Sequence, residues 1–196
     1  VLARKAVLAM MHLPTIKAGA ILVDPPLAFA TWSHKGEGRS PQHHYACLSL
    51  EQLAAIPVAD AAAPDCFLFL WIPLRSVFLI QPLMRAWGFA FSGAAFCWVK
   101  KNPSGVGWFM GGGYGTRHNV EICWLGRRGK PRRKSAGVRE LTIAPVRQHS
   151  RKPDEVYRRI ESFCDGPYLE LFARQQWPGW TCVGNEVGKF EPETTA

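Results

Sequence analysis

No apolar run in the 196 residues is long enough to cross a bilayer, so a helical membrane anchor is not expected. There is no CxxC and no pair of histidines at ligand spacing, which argues against a zinc site. The six cysteines are scattered singly, several inside apolar runs ("DCFLFLW", "AFCWVK", "EICWLG"), where cysteine behaves as a small hydrophobe. Reduced thiols in a cytoplasmic protein are the expectation. The chain lacks GK[ST] and any strand–GxGxxG–helix context, which excludes a nucleotide phosphate loop despite "GVGWFMGGGYG". That glycine-rich stretch reads either as a lid over a pocket or as a plain flexible loop. "ARKAVLAMMHLP" has a basic start but makes a poor secretory signal, because Pro14, Thr15 and Lys17 follow without a small-residue cleavage pattern.

Acids are scarce. Asp and Glu number 15 against 24 Lys and Arg, for a formal net charge of +9, which points to a polyanionic partner. The distribution is more telling: residues 126–139, "GRRGKPRRKSAGVR", carry seven cations and no acid. Such a run is either a solvated loop or a phosphate-contacting one; its density favours nucleic acid, with Arg128, Arg132 and Arg133 as candidate contacts.

What remains is globular. Nearly half the residues are apolar (47%), enough for one core and one domain, set at residues 15–190 with the basic loop inside it. "AGAILVD", "CFLFLWI", "FAFSGAAFCWVK", "NVEICWLG", "LTIAPV", "YLELFAR" and "WTCVGNE" predict strands. "SLEQLAAI" predicts a helix capped by Ser49 with Gln52 three positions on. "LRSVFLIQPLMRAWG" predicts a helix kinked or split at Pro82 and ended by Gly88. "KPDEVYRRIESF" puts Val156, Ile160 and Phe163 on one helix face. Apolar strands alternating with helices predict an α/β fold: a mostly parallel sheet with helices on both faces, ligands binding at the strands' carboxyl ends.

Asp24 stands at such an end, followed at once by Pro25 and Pro26. Proline fixes its own φ, restricts its predecessor, and offers a carbonyl without an N–H. The corner therefore presents acceptors only, which suits an amino group that must donate both hydrogens. A capped tight turn is the alternative for this tripeptide taken alone.

The tripeptide has company. "DPPL", "HYACLSLEQL", "FLFLWIP", "FCWVKK", "RHNVEICWLG", "HSRKPDEVYRRIE", "LELFAR" and "GWTCVGNE" occur in that order from Ile21 to Val187. This ordered set resembles the MT-A seventy family of adenine-N6 methyltransferases, typified by the catalytic subunit of the eukaryotic messenger-RNA adenosine methyltransferase. The resemblance implies a Rossmann-like fold, S-adenosylmethionine as cofactor, and a catalytic motif that precedes the cofactor strand. It implies that Asp24, Pro25, Pro26 and Leu27 form the catalytic tetrad, and that Tyr45 and Phe29 lie near the acceptor base. For the cofactor it implies Asp24, Ser150, Lys152, Phe172, Arg174, Gln176, Asn185 and Glu186. No metal is implied.

The short, basic chain makes DNA the expected substrate rather than RNA. The departures from the family pattern are Leu27, where an aromatic normally stacks on the base; "RQQW", where eukaryotic members carry His and Asn; and Val120, where they carry Lys. Leucine at position 27 also resembles the non-catalytic partner subunit of the eukaryotic enzyme, which lacks the aspartate. A catalytically inactive nucleic-acid-binding subunit is therefore the alternative reading, and an RNA methyltransferase another. Oligomeric state is not legible.

Overall fold

The computed structural model describes residues 13–27, 47–113 and 115–191; Phe29, Trp32, His43, His44 and Tyr45 lie outside them. Seven strands form one sheet: β1 (Ala18–Val23), β2 (Ala62–Trp71), β3 (Ala90–Lys101), β4 (Val120–Arg128), β5 (Leu141–Pro145), β6 (Tyr168–Leu171) and β7 (Trp180–Val183). Their order is β5-β3-β4-β2-β1-β6-β7. β1 pairs in parallel with β2 on one side and β6 on the other. β6 with β7 and β3 with β5 are parallel too. β4 is antiparallel to both its neighbours, so it alone runs against the common direction. An apolar run does not encode its direction, and here the chain doubles back from β3 into β4 as a hairpin needing no crossover helix.

From β1 the chain moves first to the β2 side and returns later to lay β6 on the opposite flank. The carboxyl end of β1 is therefore a topological switch point, where an open sheet leaves a crevice. The central strands are buried on both faces: every residue of β1 except Gly19 and the last six of β2 lie inside. This is why they read as continuous apolar runs rather than alternating ones.

Helices cover both faces. α1 (Leu50–Ala54), α2 (Val58–Ala61), a 3-10 turn (Leu74–Leu79) and α3 (Ile80–Ala86) lie on one side. There Leu53, Val58, Leu83, Met84 and Trp87 join Ile21, Val23, Leu68 and Leu70 in one core. α4 (Glu155–Phe163) covers the other, setting Val156, Tyr157 and Ile160 against Leu22, Phe67, Phe69 and Trp71. Side chains of this size each contribute roughly 1.5–3 kcal/mol on full burial. Ser49 and Gln52 form the expected capping box on α1. The helix containing Pro82 is split between Leu79 and Ile80, which leaves the proline in the first turn of α3, where its missing N–H costs nothing. Gly88 ends α3 at φ +79°, a backbone that a side chain would strain.

Two sequence expectations change in detail. "YLELFAR" is strand only through Leu171, because Phe172 adopts φ 61° and turns the chain out of the ladder before Arg174. Gly126, Arg127 and Arg128 belong to β4 rather than to the basic loop.

Candidate active site

The corner at Asp24 is held by its backbone. Leu27 N–H donates to Pro25 O at 2.8 Å and Leu48 N–H to Pro26 O at 2.7 Å. A carbonyl oxygen has two lone pairs, so Pro25 keeps one for another donor. Leu27 is 4% exposed and packs into the core on the α1–α3 face, so it offers little surface to a ligand.

Asp24 is tied into a chain of charges from three other elements. Lys152 Nζ donates to Asp24 Oδ2 at 2.7 Å and lies 3.5 Å from Glu121 Oε2. Glu121, on β4, is also paired with Lys100 of β3. Burial alone would lower the Lys152 pKa, yet the two carboxylates outweigh it and hold it above its ordinary value. Burial would likewise raise Glu121, but Lys152 and Lys100 bring it below the usual carboxylate value. Lys152 and Glu121 each favour the charged form of the other in this half-buried place. The geometry explains why Glu121 survives inside "NVEICWLG": β4 starts beside the carboxyl ends of the strands that run the other way.

Two cavities meet at Asp24. The larger, about 580 Å³, runs from Asp24, Pro25 and Leu27 past Trp71, Trp98 and Lys100 to Phe109, Gly111 and His118. That volume falls inside the roughly 300–1,000 Å³ of small-molecule sites. The smaller, about 30 Å³, brings Asp24 together with Ser150, Lys152, Phe172 and Arg174. The acidic corner and the arginine after β6 therefore line one crevice between β1 and β6. Ser150 sits at φ 62°, a strained backbone in the segment that delivers Lys152.

The remaining expected residues are placed as follows. Glu186 contacts Arg174, Oε2 to Nε at 3.3 Å, so it reaches the crevice through that arginine. Asn185 lies just past β7 in the same turn, exposed. Gln176 faces elsewhere: its amide donates to Trp180 O at 3.1 Å and closes a turn outside both cavities. Arg128 is likewise spent, its guanidinium donating to Ala59 O at 2.7 Å. Arg132 and Arg133 are exposed, at the opposite end of the sheet from Asp24. Sequence reasoning missed Glu121, Lys100 and Phe109. Phe109 is half-buried and lines the large cleft, whereas Trp71 and Trp98 are buried. Its signal was the aromatic within the glycine-rich loop.

A switch-point crevice in a doubly covered, largely parallel sheet defines a Rossmann-like α/β protein with a small-molecule site. Residues 19–186 match MT-A70, and the chain belongs to that family. It is similar to the human N(6)-adenine-specific methyltransferase METTL4, 34% identical over 189 residues, covering 87% of this chain and 38% of that protein. It is similar to the type II methyltransferase M.MunI of Mycoplasma sp, 30% identical over 196 residues, covering 90% of this chain and 80% of the relative. With the human N(6)-adenosine-methyltransferase catalytic subunit METTL3 it shares 34% identity over 128 residues, 63% of this chain and 22% of that one. The chain thus spans under two-fifths of its human relatives' length.

Methyltransferases of this family depend on S-adenosylmethionine, and the crevice suits that molecule. Arg151 Nε and Gln175 Oε1, a donor and an acceptor, are buried in the small recess without a partner among the described residues. A ligand with polar groups satisfies both. Lys152 and Arg174 match its carboxylate and hydroxyls, and Asp24 and Glu121 match a sulfonium cation. No group of three or more potential metal ligands occurs among the described residues. No helix among them is long and apolar enough to cross a membrane.

Proposed function

We propose that this chain transfers a methyl group from S-adenosylmethionine to the N6 amine of adenine in DNA. The observation that carries this reading is the place of Asp24: one carboxylate shared by a 580 Å³ cleft and by the recess that holds Arg174. The relatives named for adenine and adenosine methylation supply the reaction class, and the short, basic chain with its exposed Arg132 and Arg133 supports DNA as the substrate.

The adenine amine is a poor nucleophile because its lone pair is delocalised into the ring. Asp24 and the second lone pair of the Pro25 carbonyl accept hydrogen bonds from its two N–H groups. This pulls the nitrogen toward tetrahedral geometry and frees the lone pair. Asp24 is also the base in reach of the one proton that the nitrogen must give up once the N–C bond has replaced the donor's S–C bond. The donor, when bound, supplies a methyl already activated on a sulfonium. The protein's remaining task is alignment, worth on the order of several kcal/mol. Lys152 holds Asp24 in place through its 2.7 Å contact with Oδ2. Ser150, Lys152, Phe172, Arg174, Asn185 and Glu186 form the donor side. Phe109 supplies the flat apolar face that Leu27 does not, a stacking contact worth roughly 1–3 kcal/mol. Arg132 and Arg133 contact phosphates away from the cleft.

The test is incorporation of labelled methyl into duplex DNA, single-stranded DNA and RNA in parallel. Incorporation into DNA that Asp24→Ala abolishes while donor binding persists supports the proposal. Preference for RNA would reassign the substrate. Nucleic-acid binding with no donor binding at millimolar concentration would make the chain a non-catalytic subunit.

A further inference from the structure

The hairpin between β3 and β4 has two unlike sides. Its first turn is built rather than loose. Asn102 N–H donates to Gly107 O at 3.3 Å, Asn102 Nδ2 to Val106 O at 2.9 Å, and Phe109 N–H to Lys100 O at 3.0 Å. Trp108 pairs antiparallel with Lys101. Successive residues of an extended chain point to opposite sides. Phe109 accordingly faces the cleft, while Trp108 and Met110 face out, with 57% and 73% of their surface exposed. Val106 stands beside them, 76% exposed. An exposed apolar tip of this kind marks a contact surface.

Charge says what it contacts. Residues 100–120 contain Lys100, Lys101 and Arg117 and no Asp or Glu. Lys101 Nζ lies 6.0 Å from the Trp108 ring centroid. Lys100 is spent on Glu121, but Lys101 and Arg117 remain, and flat apolar groups flanked by such cations complement stacked bases between phosphates. Trp108 and Met110 also flank Phe109, which lines the acceptor cleft. Resting on the adenine-methylation reading, we propose that Val106, Trp108 and Met110 form a wedge that enters the base stack and fills the gap left by the adenine taken into the cleft. Apolar side chains inserted between base steps unstack them in this way, and extruding a paired base costs a few kcal/mol that such a filler offsets.

The test uses a random-sequence duplex pool carrying 2-aminopurine at a fixed position, the same pool single-stranded, and the pool re-annealed into mismatched bubbles. Trp108→Ser combined with Met110→Ser alters mainly exposed atoms, and its unfolding temperature checks that the fold is kept. The expected results are about a tenfold loss of methyl transfer on the duplex, little change on single strands, and recovery on bubbles. The rise in 2-aminopurine fluorescence on duplex binding falls with it, and Trp108→Phe restores both. That fluorescence reads the wedge even if no nucleic acid is methylated, so the failure of the two readings can be told apart. Equal losses on all three substrates, or no loss on any, would overturn the wedge. So would self-association that the variant abolishes with the fluorescence unchanged, which would make the tip a protein contact.

Discussion

Glu170 sits on β6 with 6% of its surface exposed, and burial pushes its carboxyl up to about 8. Tyr157 donates to both of its oxygens, at 3.0 and 2.9 Å, and this pulls the other way, as do Cys182 and Lys152, while Asp24 pushes it up. Between its ordinary value of 4.5 and about 8 the folded protein keeps a proton that the unfolded chain has released. Its contribution to stability is therefore complete below the lower value and declines as pH rises to the upper one. Glu170→Gln has no proton to lose. Urea unfolding across pH is expected to show the variant gaining on the wild type through that window and levelling off above it, by on the order of a few kcal/mol. A constant difference would mean that the carboxyl is ionised in the fold. In the sequence this residue is one letter of "ELFAR", and nothing there marks it as buried. Asp24 was legible because two prolines set it apart. Glu121 and Lys100 were not, because their pairing depends on the direction of β4, which an apolar run does not state.

Asp154 works for a whole element. It is 5% exposed, accepts from Arg147 at 2.7 and 3.1 Å, from Arg151 at 3.1 Å, and from Gln175 at 3.2 Å. Arg151 in turn donates to Glu191 O at 2.6 Å. One carboxylate thus joins the segment before α4, the turn after β6 and the chain beyond β7. Removing it strands two guanidinium groups in a place largely closed to water, and loss of one partner of a buried pair typically costs about 3–5 kcal/mol. Asp154→Ala is expected to lose stability of that size in denaturant melts. Donor affinity by calorimetry should weaken with it, since Ser150 and Lys152 ride on the same segment. Donor affinity that survives the stability loss would show that the segment is held by other contacts. The elements themselves were readable wherever one physical pattern dominated. The central strands are apolar on both faces, α4 has one apolar face, and α1 carries its own cap. The end of "YLELFAR" was not readable, because the turn at Phe172 is imposed by packing rather than by a glycine or proline.

The densest run of positive charge in the molecule stands apart from the cleft. Arg128 lies opposite Cys66 of β2, four residues before Leu70, whose β1 partner Val23 precedes Asp24. At about 3.3 Å per residue this is some 13 Å along the sheet. The basic segment then continues away from the cleft: Lys134 N–H donates to Phe163 O at 2.7 Å, and its amine pairs with Asp165 at 3.3 Å, at the far end of α4. Lys130, Arg132 and Arg133 are exposed there. A nucleotide held at Asp24 cannot touch them, but the flanking backbone of a long duplex can. Cations of this kind add affinity without sequence information, and each phosphate they neutralise adds roughly 0.9 to the slope of log affinity against log salt on duplex DNA. Replacing Lys130, Arg132 and Arg133 together by glutamine is therefore expected to weaken binding to long duplexes and to flatten the salt slope by as much as roughly three times that increment. Turnover on a short, saturating duplex should be unchanged, because it engages the cleft alone. Binding titrations at several salt concentrations and a turnover assay on both lengths check this. A fall in turnover on the short duplex would mean that the segment reaches the reacting base, against the separation that the antiparallel course of β4 imposes.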